Sequence, residues 1–266
     1  MTNSKGLIKK ITIITLGVFI PISNAHSADT LKDVNFILGS SLGYSTFSFP
    51  EKMDHDISFP SANFTAAASL DNWQISVNTG FTLKDANISE EEDIGKASRS
   101  DIDVTLGYNV TPNWAVFGGY KTGKTKMSFT SRDSEDEGIL DTQNESYSQS
   151  GPYFGVGYTH RFERAGSLNF SVAYAMLNAT NNFSANTDDP DEDDELEFDD
   201  LTGIVKGKIK GLSYALSWTM PLSGQLLFQT KFKINDYKQN IDYNNLRFEN
   251  INETITSLHV GLAYVF

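Results

Sequence analysis

Ten segments of the chain alternate apolar and polar residues with a period of two. The clearest sets Trp73, Ile75, Val77, Thr79, Phe81 and Leu83 against Gln74, Ser76, Asn78, Gly80, Thr82 and Lys84. Another sets Ile102, Val104, Leu106, Tyr108 and Val110 against Asp101, Asp103, Thr105, Gly107 and Asn109. The last runs to the end of the chain, with Thr256, Leu258, Val260, Leu262, Tyr264 and Phe266 on one face. The others carry Phe36 and Leu38, Phe64 and Leu70, Trp114 and Val116, Phe154 and Val156, Phe170 and Val172, Leu212 and Leu216, and Phe228 and Phe232. Successive side chains of a strand point to opposite faces, so each segment predicts a strand with one apolar side. No helical period of useful length appears after residue 28.

The connections alternate in length. Asp71-Asn72, Thr111 to Asn113, Glu163 to Ser167 and Pro221 to Gly224 are short and rich in turn residues. Residues 49–60, 85–98, 130–148, 178–203 and 236–253 read as long polar loops. Short turns at one end and long loops at the other are the arrangement of a transmembrane barrel. The physical reason is backbone pairing. In hydrocarbon every N–H and C=O needs an internal partner, so a sheet can cross only if it closes on itself. About 9–11 tilted residues span the core. The predicted fold is therefore all-β: one closed antiparallel transmembrane up-and-down barrel of about ten strands, with short periplasmic turns and long extracellular loops. Trp73, Trp114, Tyr108, Phe162 and Phe266 cluster at the short-turn ends, where amphipathic rings prefer the interface.

Residues 1–28 read as a secretory signal peptide, and 29–266 as the barrel domain. Lys5, Lys9 and Lys10 precede an apolar run from Ile11 to Ile20, and small residues follow at Ser23, Ala25, Ser27 and Ala28. That run is about half the roughly 20 residues a spanning helix needs. Net charge is −13, which argues against nucleic acid as a partner. The absence of cysteine excludes disulfides, a thiolate nucleophile and cysteine-bound metal. Aromatics make up 12% of the chain and mean hydropathy is −0.32. A soluble β-sandwich could share those values; a membrane barrel does so because only half of each strand is apolar.

The hairpin Leu106-Gly107-Tyr108-Asn109-Val110-Thr111-Pro112-Asn113-Trp114-Ala115-Val116-Phe117-Gly118-Gly119-Tyr120 resembles those of the small outer-membrane barrels of OmpA, OmpX/Ail and opacity type. The ending Leu262-Ala263-Tyr264-Val265-Phe266 is similar to the signal such proteins present to the barrel-assembly machinery. The resemblance implies a bacterial outer-membrane location and lipid and lipopolysaccharide as surroundings. It also implies a surface or envelope role through the loops, with an extracellular ligand as a candidate partner. It implies no enzyme activity and no cofactor.

Inside the barrel, Asp101 and Asp103 face inward, as do Lys121, Lys231 and Lys233. A turn at Thr111 to Asn113 sets Asp103 opposite Lys121, so these five residues are candidates for an interior ion-pair network. Lys206, Lys208 and Lys210 share the outward parity of Leu212 at the long-loop end, a candidate contact for lipopolysaccharide phosphates. Residues 188–200 hold a carboxylate run without EF-hand spacing, which reads as a solvated loop; no metal site is assigned. Ten-stranded barrels include the omptin proteases, which use carboxylates and an Asp–His pair at the outer rim. Asp101-Ile102-Asp103 could supply half of that set, but no Asp-x-His element is present. His160 takes lipid-facing parity, His259 points inward and His55 sits in the first loop. A narrow pore for small solutes and, more distantly, an omptin-like rim protease are the alternatives to the surface role.

Overall fold

The computed structural model describes residues 14–15, 18–19, 34–48, 56–90, 93–130, 142–163, 165–183, 203–243 and 246–266. The signal segment (apart from 14–15 and 18–19), His55 and the carboxylate run lie outside them. Apart from a short ladder of Ile14–Thr15 with Val18–Phe19, these residues form one sheet. Its strands are β1 (Asn35–Ser48), β2 (Ile57–Leu70), β3 (Trp73–Thr82), β4 (Ala86–Glu90), β5 (Asp93–Asn109) and β6 (Trp114–Thr130). They continue as β7 (Thr142–Phe162), β8 (Gly166–Phe183), β9 (Gly203–Pro221), β10 (Leu226–Tyr243) and β11 (Leu246–Val265).

Ten of these strands close into an antiparallel up-and-down barrel; the short β4 is an extra strand. Neighbours in sequence pair with neighbours, and two pairings complete the cylinder. β11 returns to β1 from Val265↔Ile37 to Thr254↔Ser48, and β3 bypasses β4 to pair with β5 from Trp73↔Tyr108 to Phe81↔Ser100. In the tight β2–β3 turn Asp71 takes φ 51°, a left-handed conformation that Asp tolerates.

The outer wall carries a contiguous apolar band. Phe36, Leu38, Ile75, Val104, Leu106, Val116, Phe154, Leu216, Leu258, Val260 and Leu262 all point out and are exposed. A soluble monomer rarely leaves an apolar patch of this extent in water. The band is the lipid-facing belt of a transmembrane barrel.

Above that belt the hydrophobic parity inverts. In β2 the outward residues Phe64 and Leu70 give way to inward Ile57 and Phe59. In β9 outward Leu212, Leu216 and Trp218 give way to inward Val205 and Ile209. Phe47 of β1, Met127 of β6, Tyr147 of β7, Leu177 of β8, Tyr237 and Ile241 of β10 and Ile255 of β11 repeat the switch. The cause is a change of solvent. Beside lipid, apolar side chains face out; beside water, the same strands bury them. Most of the inward set, with Ile88 of β4, forms the main apolar cluster among the described residues; Val205 and Ile241 form a separate one.

The segments read as loops are therefore shortened by strand, and two of them, 85–98 and 236–253, are largely strand. The 85–98 connection holds the β4–β5 hairpin, β7 begins at Thr142, and β8 runs to Phe183. β10 and β11 stay paired up to Tyr243↔Leu246, with a register shift between Gln239 and Ile241.

Candidate functional site

Three groups of residues stand out: the ring at the short-turn end, the barrel interior, and a cationic strip on the outer wall. The ring contains every aromatic singled out from sequence. Trp73 packs on Tyr108 with centroids 4.8 Å apart, and Trp114 on Tyr158 at 5.0 Å. Phe162 meets His160, and Phe266 meets Tyr264, each at 4.8 Å. Trp218 Nε1 donates to the Ala165 carbonyl at 2.8 Å, and Phe266 N to Phe36 O at 2.8 Å. These rings, exposed except for the half-buried Tyr108, lie at the lower edge of the apolar band, where a polar edge and an apolar face are both satisfied.

At the upper edge of the interior, Arg99 of β5 is the centre of a buried polar cluster. Its Nε and Nη2 donate to Asp101 Oδ2 and Oδ1 at 2.9 and 2.8 Å, and Nη1 to Thr125 Oγ1 at 2.9 Å. The guanidinium also lies 5.4 Å from the Phe47 ring centroid. Gly123 stands opposite Asp101 in the register. A Cβ there would overlap Asp101 Oδ1 and lie 2.8 Å from Arg99 Nη2, so the missing side chain makes room for the pair. Nearby, Tyr147 donates a hydrogen bond to Glu253 Oε2. Flanking outward residues at this level are Ser98, Ser100, Ser146, Ser148 and Thr254, so the cluster sits beyond the lipid belt. Burial pushes the Glu253 carboxyl above the usual carboxylate range, against the pull of the Arg99 cation and the Tyr147 hydrogen bond.

Lower down, the predicted interior residues are all inward, but they do not pair as expected. Asp103 does stand opposite Lys121. Its Oδ1, however, accepts from Asn78 Nδ2 at 2.9 Å, and Asn78 Oδ1 accepts from Thr65 at 2.7 Å. Lys121 Nζ instead reaches Tyr237 Oη at 2.9 Å and lies 4.6 Å from that ring's centroid. Asp101 takes Arg99, two residues away on its own strand, rather than a lysine. Among the described residues, Lys231 and Lys233 have no carboxylate within 4.0 Å. The interior is thus a hydrogen-bonded lining with one tight ion pair, not a five-membered charge network. Arg99 went unnoticed in sequence because its strand was started at Asp101.

The third group is the outward row Lys206, Lys208 and Lys210 on β9, alternating with inward Val205, Gly207 and Ile209. Lys208 Nζ donates to Asn178 Oδ1 at 2.6 Å. Lys210 stands beside Lys238 of β10. The shallow groove between them is also lined by Asp236, Asp242 and Arg247.

No protein-family model matches the sequence, and no curated sequence matches it. Solved structures do. The outer membrane protease OmpT from Escherichia coli aligns over 91% of this chain and 99% of its own, at 14% identity and a TM-score of 0.53. The beta domain of the Bordetella autotransporter BrkA aligns over 88% and 100%, at 9% identity and a TM-score of 0.48. Ail, the attachment invasion locus protein of Yersinia pestis, aligns over 88% and 99%, at 9% identity and a TM-score of 0.40. At 14% identity the likeness to OmpT is one of fold: the chain has the barrel of a bacterial outer-membrane protein.

Proposed function

We propose that this chain is a non-enzymatic barrel of the Gram-negative outer membrane, exported with cleavage of residues 1–28, whose working surface is its extracellular extension. The observation that carries this reading is the plugged upper interior. Phe47, Phe59, Tyr147, Tyr237 and Ile255 are buried there, and the buried Arg99 lies over Phe47 and bonds to Thr125. A barrel sealed by its own side chains is built to hold a shape above the membrane rather than to pass solute. Planar-bilayer recording of the purified barrel tests it. The expected result is no discrete openings; regular unitary steps would favour the narrow pore.

The carboxylates give little support to a protease. Both oxygens of Asp101 are held by Arg99, and Asp103 is engaged by Asn78. His259 is buried with Nε2 2.8 Å from Ser61 Oγ. An activity abolished by the Asp101→Asn, Asp103→Asn pair would overturn the non-enzymatic reading.

We read Lys206, Lys208 and Lys210, joined by Lys238, as a contact for lipopolysaccharide phosphates; their outward row just above the apolar band supports this. Changing all four to Gln should lower lipopolysaccharide co-purification; unchanged retention would rule the contact out. The last strand, closing on β1, is the segment expected to engage the barrel-assembly machinery.

A further inference from the structure

The lower interior holds a polar cavity of about 140 Å³ that the surface role does not use. Its lining is divided by charge. On the β3–β5 side the carboxylates are already engaged, Asp101 by Arg99 and Asp103 by Asn78. On the opposite side Lys231 and Lys233 of β10 project into the cavity, two residues apart and therefore on one face. Counting Arg99 and Lys121, the lining carries four basic side chains against two carboxylates.

The register explains how the donors converge. His259 of β11 stands opposite Lys231, and Ser257 opposite Lys233. The next strand presents Gly43 beside His259 and Ser45 beside Ser257. Gly43 has no side chain, so the imidazole lies across β1 and reaches Ser61 of β2 at 2.8 Å. A Cβ on Gly43 would sit 2.8 Å from His259 Cδ2. Ser61 Oγ is in turn 3.0 Å from Ser45 Oγ. Two ammonium groups thus share a wall with three hydroxyls and an imidazole, and among the described residues neither ammonium has a carboxylate within 4.0 Å.

We infer that this cavity binds a small doubly charged oxyanion of the phosphate or sulfate class, held by Lys231 and Lys233 with Ser45, Ser257 and His259 completing its hydrogen bonds. The chemistry is that of charge-assisted donors around an oxyanion. The excess of two cations matches a dianion. The cavity is several times the volume a single water needs. On the far side both oxygens of Asp101 and Oδ1 of Asp103 already accept hydrogen bonds, so a cation gains less there than an anion gains at the lysines.

Equilibrium dialysis of the refolded barrel against radiolabelled inorganic phosphate tests the site. Refolding in the presence of phosphate removes any dependence on entry through the plugged end. The expected result is saturable binding of one phosphate per barrel, displaced by sulfate. The Lys231→Met, Lys233→Met pair should weaken it by at least roughly tenfold. The Lys231→Arg, Lys233→Arg pair should keep it, which separates loss of charge from loss of fold. The Lys84→Gln variant, at an exposed lysine outside the cavity, should bind as the parent does. No saturable binding by the parent chain, or equal binding by the methionine pair, would overturn the inference. So would loss confined to a Lys206→Gln, Lys208→Gln, Lys210→Gln variant, which would put the phosphate on the outer wall.

Discussion

Arg99 and Arg247 make the same kind of bond in opposite surroundings, and the contrast yields a sharp prediction. Arg99 has a side chain only 3% exposed, paired with an Asp101 that is 45% exposed. Arg247 is 61% exposed and lies 2.7 Å from Glu249. Arg99→Met removes two charge-assisted bonds to Asp101 and one to Thr125, whose hydroxyl is fully buried. Asp101 recovers water on its open side, so the full cost of about 3–5 kcal/mol for breaking a buried pair does not apply. The unmatched Thr125 hydroxyl adds about 1–3 kcal/mol. A loss of about 3 kcal/mol is expected. Arg247→Met should cost under about 1 kcal/mol, as surface pairs do. Urea unfolding of the refolded barrels in one lipid or detergent, followed by tryptophan fluorescence, measures both. Equal losses for the two substitutions would refute the claim that the upper interior is a dry, packed core.

Two further predictions concern the same end and the closing seam. Glu253 is held above its unfolded pKa, so the neutral form is favoured on folding. Its contribution is full below the ordinary carboxylate range and is lost as pH rises through the folded value. The barrel should accordingly lose stability over that rise, and Glu253→Gln should flatten this part of the profile; an unchanged profile would contradict it. Gly43→Ala should cost about 1–3 kcal/mol through overpacking, because its Cβ would overlap the Leu258 carbonyl and crowd His259. Gly224→Ala, with nothing within 4 Å, is the control and should lie within about 0.5 kcal/mol of the parent in the same urea assay.

The membrane-crossing half of the fold was readable because its rule is simple. From Trp73 to Phe81, or from Leu258 to Phe266, every second residue meets lipid, and the alternation keeps one phase. The extracellular half was not readable by that rule. At Phe47, Ile57, Tyr147 and Tyr237 the apolar residues move to the opposite parity. A reader following one phase sees the pattern stop and assigns a loop. Rows such as Val205, Lys206, Gly207, Lys208, Ile209 and Lys210 still alternate, but with the polar face outward. The same change of phase hid Arg99. The interior register was legible, since the turn at Thr111 to Asn113 does place Asp103 opposite Lys121. The partners were not, because side chains as long as Lys121 and Arg99 choose among several rows. Lys121 reaches Tyr237, on a strand far off in sequence, while Arg99 divides its donors between Asp101 on its own strand and Thr125 on the next.

The central claim is that the apolar outer wall faces lipid tails. The chain has no cysteine, so single cysteines can be placed along β5 and spin-labelled without background. Oxygen and nickel-chelate accessibility in a lipid bilayer should alternate with period two. Labels at 102, 104 and 106 should be oxygen-exposed and shielded from nickel, and labels at 103 and 105 protected from oxygen. Past residue 100 toward residue 96 the outward labels should become nickel-accessible. Uniform nickel accessibility from 96 to 106, with no alternation, would contradict the account.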